Sequence, residues 1–230
     1  MPNYGTAHLT VAVKEKRSVV IEQFGQAPLQ LHRPLYLDAQ SFPTVFLRTP
    51  SYGLLDGDIH ELFVQVEEDA ELELRTQGAT LVYPGASEQK IHMRIARGGK
   101  IRFLPHPLIL ATQASLKQRI TIDLADESEL VFKESWVCGR IAMGERWLFN
   151  EFDNLVEILR EGESVFRESF VIQPKRDNLT LPAVCGAYTG FETRFDFGVN
   201  SADLAEYAID DLLWHWQRKN DLVSRRLFMA

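Results

Sequence analysis

The sequence predicts a mainly β protein that ends in an α-helix, and three observations predict it. From residue 7 to about 174, apolar and polar residues alternate with period two. The alternating runs are short, recur about every 8–14 residues and are punctuated by Gly, Pro, Asp or Asn, as in sandwiches, barrels and solenoids. After Asn200-Ser201 the period becomes that of a helix.

Taken in order, Leu62, Val64 and Val66 share one face of a strand over 61–67. Ala70, Leu72 and Leu74 do the same opposite Glu71, Glu73 and Arg75, and Ile91, Met93 and Ile95 form a third apolar face. Ile120, Ile122 and Leu124 form a fourth. Further strands are expected over 130–137, 145–149 and 166–172. No fixed-length motif repeats by identity, so the pattern does not establish a regular solenoid. Residues 175–200 have weak periodicity and read as loop with one or two strands. Beyond them Leu204, Ala208 and Leu212 recur at fours beside Ile209, Leu213 and Trp216. Ser201 or Asn200 caps this helix and Asp203 sits in its first turn. The helix either packs on the sheet or presents Trp214 and Trp216 as anchors for a partner.

Length and composition bound the function. A chain of 230 residues suits one domain, with a β framework over about 7–175 and a C-terminal loop and helix over about 176–230. Hydrophobic residues make up 45% and the net charge is -7, which argues against a nucleic-acid partner. Cys138 and Cys185 are too far apart for a C-x-x-C centre. No secretory signal or membrane-length apolar run is seen, so a soluble cytoplasmic protein is expected. There is no G-x-S-x-G elbow, P-loop, Rossmann glycine fingerprint, H-E-x-x-H or H-x-H pair.

The informative anomaly is one of parity. Glu134 falls in line with Leu130, Phe132 and Trp136; Glu145 with Trp147 and Phe149; Glu168 with Phe166, Phe170 and Ile172. A carboxylate on a buried face costs several kcal/mol unless it is paired, hydrogen-bonded or protonated. Two readings follow. Either the acids lie at strand ends or pair with Arg140, Arg146 or Arg167, or they line an internal polar passage whose oxygens handle a divalent cation without holding it tightly. In "GLLDGD" (53–58), Gly53 and Gly57 ease a turn and Asp56 and Asp58 cap neighbouring amides. His60 makes Asp56, Asp58 and His60 a conceivable but weakly signalled metal cluster.

Five segments then stand in an order and spacing that resemble one family: "APLQLHRPLY" (27–36), "GLLDGD" (53–58), "LRTQGATLVY" (74–83), "FLPHPLI" (103–109) and "ESWVCGRIAMGE" (134–145). The chain resembles the urease accessory proteins UreD and UreH from about Arg17 to about Pro174. The resemblance implies a coiled two-sheet architecture, β-helix-like or sandwich, with one or two C-terminal helices. It implies a non-catalytic maturation factor that binds apo-urease and UreF, which recruits the GTPase UreG. Ni2+ would pass transiently through an internal tunnel, with no cofactor held tightly. Matched position by position, Asp58 and Glu134 would be transient cation contacts, and Arg140 and Glu145 a supporting ion pair. Thr76, Gln77, Thr80 and Tyr83 would form wall. The chain departs from the family at Leu81, commonly lysine, and His106, commonly an acid.

Two rivals remain. One is a metal-dependent hydrolase or isomerase using Glu134, Glu145 and Asp58. The other is a carbohydrate-type binding module, which would show aromatics on a sheet face where Trp136 and Trp147 point inward by parity.

Overall fold

Why the alternating runs coil is visible in their pairing. The computed structural model describes residues 3–37, 40–51, 53–198, 214–219 and 222–229. In chain order its strands are β1 (Tyr4–Lys14), β2 (Arg17–Gln26), β3 (Gln30–Leu31), β4 (Thr44–Arg48), β5 (Gly53–Leu54), β6 (Ile59–Val66), β7 (Glu71–Thr76), β8 (Thr80–Val82) and β9 (Gly85–Ile95). There follow β10 (Lys100–Leu104), β11 (Leu108–Leu110), β12 (Ala114–Leu124), β13 (Glu129–Val137), β14 (Glu151–Arg160), β15 (Glu163–Ile172), β16 (Gly190–Phe197), β17 (Trp214–Lys219) and β18 (Leu222–Met229).

Sheet A runs β15-β14-β12-β9-β6-β1-β2, and sheet B runs β17-β18-β16-β13-β10-β7-β4-β3. The chain passes from one sheet to the other and back, so β6, β9, β12 and β14 lie parallel in sheet A and β4, β7, β10 and β13 lie parallel in sheet B. Short strands β5, β8 and β11 pair in parallel and join sheet B where β11 pairs with β13. Antiparallel strands finish both ends, with β2 and β15 at the edges of sheet A.

The coil has a fixed step. Thr44 pairs with Glu73, Glu73 with Arg102 and Arg102 with Val131, which is 29 residues each time. Ile59, Glu88 and Lys117 step likewise in sheet A. At the same point of successive coils stand Asp69, Gly98 and Glu127, with φ of 57°, 66° and 58°. The left-handed backbone there turns the chain from sheet A into sheet B.

The inward faces meet in two apolar clusters. The larger joins Leu62, Ile91, Ile120 and Val156 of sheet A to Leu74, Phe103, Phe132 and Phe195 of sheet B. Its phenyl rings stack at 5.4 and 5.3 Å, a ladder that follows from equivalent positions sitting above one another. The smaller cluster gathers Leu116, Phe152, Trp136, Trp147, Phe149 and Phe191 near one end of the strands.

The coiled two-sheet expectation therefore holds, while three sequence expectations change. The helix expected from Ser201 lies on residues outside those described up to 213, and its last part, Trp214–Lys219, is a β-strand paired with β18. Glu145–Phe149 is loop rather than strand, because Gly144 and Trp147 both take positive φ and interrupt any extended run. Finally, the solenoid that identity did not reveal is present as a positional repeat.

Candidate functional site: a polar layer between two apolar clusters

Between the two clusters runs a row of polar side chains. His60 of β6 pairs with Gln89 of β9, Gln89 with Gln118 of β12, and Gln118 with Asn154 of β14. The residues two places further along each of these strands, Leu62, Ile91, Ile120 and Val156, belong to the larger cluster. Leu116 and Phe152, two places back, belong to the smaller one. Alternation makes the row face inward: His60, Gln118 and Asn154 are buried, and Gln89 is half-buried. Sheet B contributes Thr76, Pro105 and Glu134 opposite.

Glu134 is 5% exposed. Its Oε1 accepts hydrogen bonds from Gln118 Nε2 at 2.5 Å and Asn154 Nδ2 at 2.9 Å, while Gln118 Nε2 also reaches Asn154 Oδ1 at 3.0 Å. Amide donors from the facing sheet thus help offset its desolvation. Arg146 donates to the Gly186 carbonyl, and Arg167 lies 4.0 Å from Glu157.

A cavity opens beside this row. Its outer part, about 220 Å³, is lined by Arg48, Thr49, Thr76, Gln77, Thr80 and Gln89 among others. The inner part, about 30 Å³, shares Thr76, Thr80 and Gln89 with it and continues to His106, Gln118 and Glu134. The mouth is organised by Thr76, whose Oγ1 accepts the His106 N–H at 2.8 Å and donates to the Gly78 carbonyl at 3.0 Å. The inner volume suits about one water or one bare ion. A cation entering it has to trade hydration for wall oxygens, and amide, hydroxyl and carboxylate oxygens are the donors that hard or borderline divalent ions accept.

The other expected residues separate into two places. Asp58 is buried beside His60, its carboxylate accepting from Leu55 N–H at 2.9 Å and from Asn3 Nδ2 at 3.2 Å. Its turn-capping role is therefore real, whereas Asp56 accepts the N–H of Ala86, on β9, at 2.9 Å and so ties the turn to a neighbouring strand instead of capping its own amides. Arg140 and Glu145 form a bidentate ion pair on a loop, with Arg140 Nε donating to Glu145 Oε2 at 2.8 Å. That guanidinium holds the Glu145 carboxyl down from its ordinary 4.5 to about 2. Tyr83 donates to the Ser51 carbonyl at 3.3 Å. Asp58, Tyr83, Arg140 and Glu145 line neither part of the cavity, so of the two expected cation contacts Glu134 alone faces it. Side-chain surroundings of Trp214 and Trp216 lie outside what the structure describes. Among the described residues, no three His, Cys, Asp or Glu side chains converge on one metal position. No helix among them is long and apolar enough to cross a membrane.

The sequence singles out His60 only beside Asp56 and Asp58 and does not single out Gln89, Gln118 or Asn154, yet parity exposes all four. Each occupies the buried phase of an apolar run, as Glu134 does, and the first three of the row, His60, Gln89 and Gln118, recur at the 29-residue step. Neutral amides in that phase signal less than carboxylates do, because burying them costs less.

A family model described as UreD urease accessory protein matches residues 3–219. The chain is 33% identical over 156 residues to urease accessory protein UreD 2 of Synechococcus sp. (strain JA-3-3Ab), covering 67% of this chain and 56% of that one. It is 29% identical over 219 residues to UreD of Cenarchaeum symbiosum (strain A), covering 91% and 77%. To UreH of Helicobacter pylori (strain J99 / ATCC 700824) it is 25% identical over 178 residues, covering 76% and 67%. The chain spans little more than half the length of the two Synechococcus relatives.

Proposed function

Because the chain belongs to the UreD family of urease accessory proteins, we propose that it is a urease maturation factor that conducts Ni2+ along its interior polar layer. Thr76, Gln77 and Thr80 form the wall of the mouth, Gln89 and Gln118 the wall of the passage, and Glu134 the charged contact within it. The Arg140–Glu145 pair acts from outside the passage, fixing the loop that follows β13. The observation that carries this reading is Glu134, a carboxylate buried between two sheets, clasped by amides and facing a cavity that leads to solvent. A buried carboxylate with amide and hydroxyl oxygens around it offers hard donors to a divalent cation, and one carboxylate by itself does not trap the ion.

On this reading the protein has no turnover of its own. It works as a scaffold on apo-urease and UreF, with UreG recruited through UreF, in the cytoplasm. The hydrolase alternative needs Asp58, Glu134 and Glu145 together in one site, as ligands or acid/base groups. These three stand in separate settings: a turn cap, an amide clasp and a surface ion pair.

Co-expression with urease and UreF, with affinity capture of this chain, tests the scaffold role. Both partners are expected in the captured complex, in similar amounts for wild type and Glu134→Gln. Urease from the Glu134→Gln cells is expected to contain several-fold less nickel. Capture of this chain alone, with urease fully loaded in its absence, contradicts the proposal.

A further inference from the structure

We propose that the outer part of the cavity is a carboxylate-binding subsite, built on Arg48 and the backbone N–H groups of Gly78 and Ala79. Arg48 ends β4 with its side chain exposed, and among the described residues no carboxylate pairs with it. Gly78 and Ala79 lie between β7 and β8, and among the described residues their N–H groups take no acceptor. The N–H groups on either side are used, Gln77 donating to the Leu47 carbonyl at 2.9 Å and Thr80 to that of Pro107 at 3.0 Å. Arg48, Gly78 and Ala79 line the same hollow of about 220 Å³, with Thr49 and Gln77. Among the described residues no Asp or Glu lines it, on a chain whose net charge is -7. An arginine without a counter-ion on an acidic chain, in a hollow edged by open N–H donors, is a place for an anion.

The donors select the anion. A guanidinium presents paired N–H groups that match the two oxygens of a carboxylate. The Thr49 hydroxyl and the Gln77 amide add neutral donors. One positive charge balances a monoanion and leaves a phosphate dianion half compensated. The carboxylate belongs to an Asp or Glu side chain of a partner or to a small free acid, and both make the same contacts. The position of the subsite gives it a use. Arg48 lines the outer part of the cavity, and Glu134 lines the inner part. A bare divalent cation meets the repulsion of Arg48 at the entrance. A cation brought on a carboxylate does not, because Arg48 takes the carboxylate while Glu134 and the wall oxygens take the ion. That hand-over rests on the function proposed above; the affinity of the subsite for carboxylates does not.

The full-length protein, labelled with 15N, is titrated at constant ionic strength with sodium acetate, with inorganic phosphate, and with a capped tripeptide carrying one glutamate beside its glutamine twin. The amide resonances of Gly78 and Ala79 are expected to shift saturably with acetate and with the glutamate peptide, and to stay in place with the glutamine twin. Arg48→Gln is expected to weaken that binding about tenfold or more through loss of a charge-assisted contact. Arg94→Gln, which removes an exposed arginine of β9, is expected to match wild type. A tighter hold on the peptide than on acetate assigns the carboxylate to a partner chain; an equal hold assigns it to a small free acid. Resonances of Gly78 and Ala79 unmoved by acetate and peptide, phosphate held more tightly than either, or binding unchanged in Arg48→Gln overturns the proposal. Carboxylate bound at Arg48 with urease nickel unaffected by Arg48→Gln leaves the subsite standing and removes it from the hand-over.

Discussion

Glu134 shows what can be read from a single residue and what cannot. Its place in the buried phase of β13 is explicit in the alternation of Leu130, Phe132 and Trp136, so a buried carboxylate is foreseeable. Its partners come from β12 and β14, whose positions depend on the coil and not on local sequence. Removing one of them tests the clasp. Gln118→Leu leaves the carboxylate short of a donor in a buried site and is expected to cost about 1–3 kcal/mol in urea unfolding. Glu145 makes a separate prediction at the same scale. Its folded-state pKa is depressed, so its pairing with Arg140 stabilises the protein above about pH 4.5 and that contribution fades as pH falls toward 2. The pair is partly solvent-screened, so Glu145→Gln is expected to cost about 1 kcal/mol at pH 7. The difference from wild type should shrink in thermal unfolding at pH 3.

At the scale of elements, the strands are legible and the connections less so. Alternation marks β6, β7, β9 and β12 because each has one face in the core. The loop between β13 and β14 imitates that pattern with Glu145, Trp147 and Phe149, but Trp147 takes φ 57° and packs in the smaller cluster from a turn. The C-terminal stretch fails for a different reason. Its apolar residues fit spacings of four and of two, and in Trp214–Lys219 pairing with β18 decides for the strand. Glycine supplies a sharp test of a connection. A Cβ on Gly53 would stand 1.7 Å from the Leu81 carbonyl oxygen, a backbone atom that cannot swing aside. Gly53→Ala is therefore expected to push β5 from β8 and destabilise by about 2–4 kcal/mol. Gly78, with nothing within 4 Å of its Cβ position, is the control, and Gly78→Ala should change stability by under about 0.5 kcal/mol. Denaturant midpoints of the two variants decide it.

For the whole molecule, the coil explains why scattered residues make one passage. A step of 29 residues stacks equivalent positions, so one polar position repeated in successive strands becomes a continuous row. The repeat escapes sequence comparison within the chain because it conserves the phase of burial and not identity: His60, Gln89 and Gln118 share only polarity. The family, by contrast, is legible in the five quoted segments, Thr76-Gln77-Gly78-Ala79-Thr80 among them, because their order and spacing carry the resemblance. The central claim is that cargo reaches urease through this layer. Thr80 lines both the mouth and the inner cavity, so Thr80→Trp obstructs the route with one outward-reaching ring. The nickel content of urease purified from cells making Thr80→Trp, beside a check that the partner complex still assembles, is the most direct measurement. The account predicts an intact complex and urease depleted of nickel several-fold; an intact complex with fully loaded urease contradicts it.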